Sequence, residues 1–159
     1  MADINYLQIM TESLQNKSSI LSRILDKTSE IHQIATQQEL DETTFDRKIE
    51  DISKLIAELD LLDSGFDSVY ERVREELLYN RKAYEKEICM LQDLIREITD
   101  KSIRIQNMEQ ENKTLLEKHF LNQKKKIRDT KKSKQVARDY YNNMSQLNYT
   151  AAQFLDHKK

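Results

Sequence analysis

One glycine, Gly65, and no proline occur in 159 residues. Glycine closes tight turns by tolerating positive φ, and proline breaks helices by fixing φ and removing a donor. A sheet-rich domain of this length needs many turns, so the near-absence of both residues argues against strands joined by hairpins. Charged residues make up 34% of the chain and aromatics 7%, with no Trp. Such a chain can bury an apolar seam along solvated helices but not a thick core. The expected class is all-α: an elongated antiparallel helical hairpin or coiled-coil bundle with a long central helix and a short C-terminal amphipathic helix.

The apolar spacing says where those helices run. Leu7, Met10, Leu14, Leu21, Ile24 and Ile31 alternate spacings of three and four, the pattern of a helical seam, with Lys17 and Thr28 interrupting it. A second stripe, Phe45, Ile49, Ile52, Ile56 and Leu59, has no interruption and shares the heptad phase of the first. One helix continuous through residues 37–44 and two helices separated there both fit. The cluster Asp41-Glu42-Thr43-Thr44 can cap a new helix, and a break or bend near residue 40 is the favoured reading. The clearest boundary is Asp63-Ser64-Gly65-Phe66, where Gly65 suits a left-handed helix C-cap and Asp67 or Ser68 the next N-cap.

The following helix carries Val69, Tyr70, Val73, Leu77, Tyr84, Ile88, Leu91, Ile95, Ile98 and Ile105, and ends near Phe120. From residue 67 to 124 it would measure about 87 Å, matching the arm from 3 to 63 folded against it. Late in this helix Ser102, Glu109 and Asn112 occupy seam positions, which predicts looser packing there. The chain therefore divides into a helical body, 1–121, a basic linker, 122–135, and a C-terminal amphipathic segment, 136–159.

Charge divides the chain the same way. From Lys124 onward there are ten basic and three acidic residues, about +7, against about −9 for the rest. Lys124, Lys125, Lys126, Arg128, Lys131, Lys132, Lys134 and Arg138 could grip phosphates, with a steep salt dependence. No base-reading motif or stacking platform accompanies them, so nucleic acid is the weaker reading and a solvated or acid-attracted linker the stronger. In the last segment Val136, Tyr140, Met144, Leu147, Ala151 and Phe154 recur at helical spacing. Four of the eleven aromatic residues, Tyr140, Tyr141, Tyr149 and Phe154, fall in this segment. Tyrosine combines apolar area with a hydroxyl and is enriched at binding hot spots. Few apolar contacts are expected to anchor this segment to the body.

Catalysis finds little support. His32, His119 and His157 have no Cys or His at ligand spacing, Cys89 has no paired base, and one glycine cannot build a phosphate loop. No catalytic residue, metal or cofactor is expected. Cys89 is the only cysteine, which excludes an intrachain disulfide. No apolar run approaches a membrane span, and Met1-Ala2-Asp3-Ile4-Asn5 is unlike a signal peptide, so a cytoplasmic, non-enzymatic protein with no membrane insertion is expected.

The Leu-rich first stripe and the run Ile105-Gln106-Asn107-Met108-Glu109-Gln110-Glu111-Asn112-Lys113-Thr114-Leu115-Leu116 resemble FlgN-type flagellar export chaperones. That family often shows Leu-Asn, two residues, Asn, two residues, Leu-Leu late in its long helix. Asn112, Leu115 and Leu116 match, and Glu109 stands in place of the first Asn. The tail Asp139-Tyr140-Tyr141-Asn142-Asn143-Met144, then Gln153-Phe154-Leu155-Asp156, is similar to C-termini of such proteins from clostridia-like bacteria. The related FliT-type chaperones share the helical pattern. The resemblance implies a cytoplasmic chaperone that binds helical ends of axial proteins, hook-associated or filament-cap, and delivers them to the type III export gate. It places partner binding at Val136, Tyr140, Tyr141, Met144, Leu147, Tyr149 and Phe154, with Asn112, Leu115 and Leu116, and gives a gate-binding role to Tyr140 or Tyr141. The competing reading is a structural coiled coil or scaffold whose seam forms a homodimer.

Overall fold

The computed structural model describes residues 2–122 and 134–140, all of whose regular structure is helical. Helix α1 spans Ala2–Ala35, α2 Glu42–Tyr79 and α3 Glu85–Asn122, and a short α4 covers 134–140. The first break falls at 36–41. There the Asp41 side chain accepts the Thr44 backbone N–H at 3.2 Å and the Thr44 hydroxyl at 2.7 Å. These bonds satisfy one of the orphan donors at a helix start and hold the Asp41 carboxyl below its ordinary pKa. Of the two readings left open near residue 40, two helices is the one that forms.

Gly65 corrects the second boundary. It lies inside α2, its φ is not positive, and a Cβ built on it would meet nothing within 4 Å. Neither Asp67 nor Ser68 begins a helix; the chain turns instead at 80–84. The Asn80 N–H reaches the Glu76 carbonyl at 2.8 Å, and the Tyr84 hydroxyl donates to the Glu76 carboxylate at 3.3 Å. The helix expected over 67–124 is thus divided between the end of α2 and all of α3.

Cross-helix pairs fix the directions. Lys17–Asp63, Lys27–Asp51 and Glu30–Lys48 make α1 and α2 antiparallel. Ser18–Lys101, His32–Asn112 and Ala35–His119 make α1 and α3 parallel. Helix α1 packs closely against both. Its seam residues Leu7, Met10, Leu21, Ile24 and Ile31 are essentially inaccessible, as are Phe45, Ile49, Ile52 and Leu59 of α2 and Leu91, Ile98 and Ile105 of α3.

The polar interruptions of the seam are buried too. Lys17 forms a 2.8 Å ion pair with Asp63, the residue that from sequence looked like a helix end. Ser102, Glu109 and Asn112, expected to mark looser packing, are 6%, 8% and 0% exposed. Among the described residues no helix is long and apolar enough to cross a membrane.

Candidate functional site

Two carbonyls of α1, one at its end and one inside it, explain how α3 is seated. The Ala35 carbonyl lies in the last turn, where no intrahelical donor follows. His119, on α3, supplies one, its Nε2–H donating at 2.8 Å. Two helical turns deeper, the Asn112 amide donates to the Thr28 carbonyl at 3.1 Å, and its oxygen faces His32 Nδ1 at 2.9 Å. Because that amide oxygen only accepts, the network assigns the His32 proton to Nδ1. Asn112 is fully enclosed, so its two bonds lock the axial register of α3 against α1.

Helix α4 closes this layer from the third side. Lys134 stands over the Phe120 ring, its Nζ 5.9 Å from the centroid. Six residues on, Tyr140 lies against Thr28, hydroxyl to hydroxyl at 2.9 Å. Helix α4 thus starts beside the end of α3 and runs back along the bundle. Ala137 and Tyr140 are buried and Val136 is half-buried, while Gln135, Arg138 and Asp139 face outward. The expectation that few apolar contacts anchor the C-terminal segment is overturned for residues 136–140. Tyr140 is 2% exposed. Burial pushes its hydroxyl well above the ordinary tyrosine pKa, and the Glu109 charge adds to the shift.

Glu109 is the unusual member. The residue is 8% exposed, and its Oε2 is buried with no hydrogen-bond partner. Loss of solvation pushes its pKa up to about 8, opposed by the charge of Lys113.

The other expected partner-binding residues are distributed unevenly. Asn112 and Leu116 are inside the core, and Leu115 is half-buried against it. Their places in the α1–α3 contact make them structural in the folded chain. Tyr141, Met144, Leu147, Tyr149 and Phe154 lie outside the described residues, as does the basic run from Lys124 to Lys132. Thr28, His32 and Glu109 join the site although sequence reading assigned them no role. Their only signal was polarity at or beside seam positions.

A second concavity lies at the opposite end of the bundle, beside the 80–84 turn. Met10, Leu77, Leu78, Ile88 and Leu91 line an apolar pocket of about 40 Å³, with Arg74 and Arg81 at its edge. Leu78, Tyr79 and Met90 are exposed nearby in sequence, as is Cys89. No group of three His, Cys, Asp or Glu residues able to hold a metal occurs among the described residues. In comparisons with protein-family models, curated proteins and solved structures, the chain matches none of them.

Proposed function

We propose that the chain is a non-enzymatic, cytoplasmic binding protein: an export chaperone that holds helical termini of flagellar axial proteins and hands them to the export gate. The observation that supports this most is the docked α4, with Tyr140 enclosed and bonded to Thr28. An anchored α4 sets the starting point of residues 141–159 at a defined place on the bundle. Tyr141, Met144, Leu147, Tyr149 and Phe154 then present the apolar and aromatic groups that recognise a partner helix. In this reading Tyr140 is an internal anchor, and the gate-binding tyrosine is Tyr141. A client terminus that is amphipathic and unfolded before assembly gains helical order on such a surface.

Calorimetry on the full chain tests the reading. A peptide from a hook-associated or filament-cap protein's terminal helix, and separately an export-gate domain, should bind. Deleting 141–159 should remove binding to one or both while leaving the melting of the helical body nearly intact. Tyr141→Ala should weaken gate binding by about 1 to 3 kcal/mol, as a hot-spot tyrosine does. Absence of binding to either partner by the full chain would overturn the proposal, and full-strength binding by the truncated chain would remove the tail from it.

A further inference from the structure

The polar layer under α4 has an asymmetry of donors and acceptors. Thr28 already donates its single hydroxyl hydrogen to the Ile24 carbonyl at 2.8 Å. Toward Tyr140 it can therefore only accept, and the tyrosine hydroxyl is the donor in their 2.9 Å bond. Asn112 offers nothing further, since its amide faces the Thr28 carbonyl and its oxygen faces His32. Glu109, three residues earlier on α3, is enclosed in the same layer with Oε2 unpartnered. A carboxylate there has Oε2 stripped of water with no bond in exchange, a loss that weighs far more on the charged form than on the neutral acid.

The charged and titratable groups around it do not remove the difficulty. From α3, Lys113 acts on Glu109 through its charge but forms no ion pair with it. From α1, His32 is engaged by Asn112 and lies 3.9 Å from Glu111. From α4, the Tyr140 hydroxyl is turned to Thr28, and the outward Asp139 takes the Gln135 amide.

We propose that docking of α4 is coupled to proton uptake: Glu109 takes a proton from solvent when Tyr140 covers it, and ionisation of Glu109 releases α4. The Thr28 acceptor makes the same groove favour a ring that donates a hydrogen bond over one that cannot. The proposal concerns the groove alone and holds whichever client the chain serves.

The sign follows from the direction of the shift. Glu109 binds its proton more tightly in the docked state, so docking is strongest below the ordinary carboxylate pKa and weakens as pH rises to about 8. Within that window the docking equilibrium falls by up to about tenfold per pH unit.

Carboxyl-carbon NMR on the full chain, with Glu109→Gln to assign the resonance, reads the coupling directly. Glu109 should titrate well above the ordinary carboxylate range, and Tyr140→Ala should return it toward that range. Amide hydrogen exchange over 136–140, corrected for the intrinsic pH effect, should lose protection between pH 6 and pH 9 in the natural sequence. Glu109→Gln, which keeps the shape of the neutral acid, should stay protected at both. Tyr140→Phe should lose protection about fivefold at either pH, the size of one lost hydrogen bond. Circular dichroism checks that each variant keeps its helices. The proposal is overturned if Glu109 titrates normally in the full chain. It is equally overturned if Tyr140→Ala leaves the titration unchanged, or if Glu109→Gln loses protection as the natural sequence does.

Discussion

The α1–α2 contact and the α1–α3 contact are both buried, and they are held together by different physics. Against α2, the first helix meets an unbroken apolar stripe, Phe45, Ile49, Ile52, Ile56 and Leu59, each at most 5% exposed. That contact is stabilised by area removed from water, which has no direction and little register of its own. On α3 the buried apolar residues Leu91, Ile95, Ile98, Ile105 and Leu116 are interspersed with Ser102, Glu109, Asn112 and His119, and named hydrogen bonds connect α1 and α3. Directional bonds add less free energy, but a slip of one turn would leave Asn112 and the Ala35 carbonyl unpaired inside the core. One face of α1 thus supplies cohesion and another supplies alignment, and the short helix α4 docks on the aligned side.

Four substitutions measure how far this division holds. The largest loss should come from the apolar face: Ile56→Ala should cost about 2 to 5 kcal/mol in chemical denaturation, from lost transfer energy and the cavity left behind. An effect below 1 kcal/mol would mean that α2 is held mainly by its ion pairs. Next comes Asp63→Ala, which strands the Lys17 ammonium in a site where Lys17 is only 6% exposed. About 3 kcal/mol should be lost, and the double variant Lys17→Met/Asp63→Leu should recover most of it, because an apolar pair avoids the desolvation of two charges. A double variant as unstable as the single one would make this pair a true contributor to cohesion.

Asn112→Ala addresses the aligned face and should cost roughly 1 to 3 kcal/mol, the penalty of losing its two buried cross-helix bonds, to the Thr28 carbonyl and to His32. The distinguishing readout is order rather than stability. Exchange protection in α4 should fall together with that of the Thr28 region, whereas Ile56→Ala should leave α4 docked in the molecules that remain folded. If both variants loosen α4 equally, alignment and cohesion are not separable in this bundle.

How much of this could be read from the sequence depends on whether the deciding interaction is local. The helical class, the two apolar stripes and the Asp41 cap rest on spacing and on neighbours within four residues, and all three appear in the fold. The shared heptad phase of the two stripes had no such meaning. Helices α1 and α2 run antiparallel, and a phase counted along the chain says nothing about their pairing. The polar interruptions were misread for the opposite reason. Lys17, Thr28 and Asn112 look like defects until Asp63, Tyr140 and His32 arrive from 46, 112 and 80 residues away. Tyr140 was legible as an aromatic of consequence, but the groove that receives it was not, since its floor is polar.

Gly65 gives the smallest effect and separates the local reading from the fold most cleanly. A glycine capping a helix in the left-handed conformation resists replacement, because any Cβ there costs roughly 1 to 2 kcal/mol. A glycine inside a helix has the opposite sign: it exposes backbone and keeps more freedom in the unfolded chain. Here the residue lies within Glu42–Tyr79, without positive φ, and its missing Cβ would meet nothing within 4 Å. Gly65→Ala should therefore raise stability by roughly 0.5 to 1 kcal/mol, visible as a rise of a few degrees in Tm. The gain should be additive with the loss from Ile56→Ala, whose side chain lies more than two turns away along α2 and does not share its surroundings. A fall in Tm would return the turn to residue 65 and divide α2 there, and the pairing of Asp63 with Lys17 would then lose the continuous helix that holds it in place.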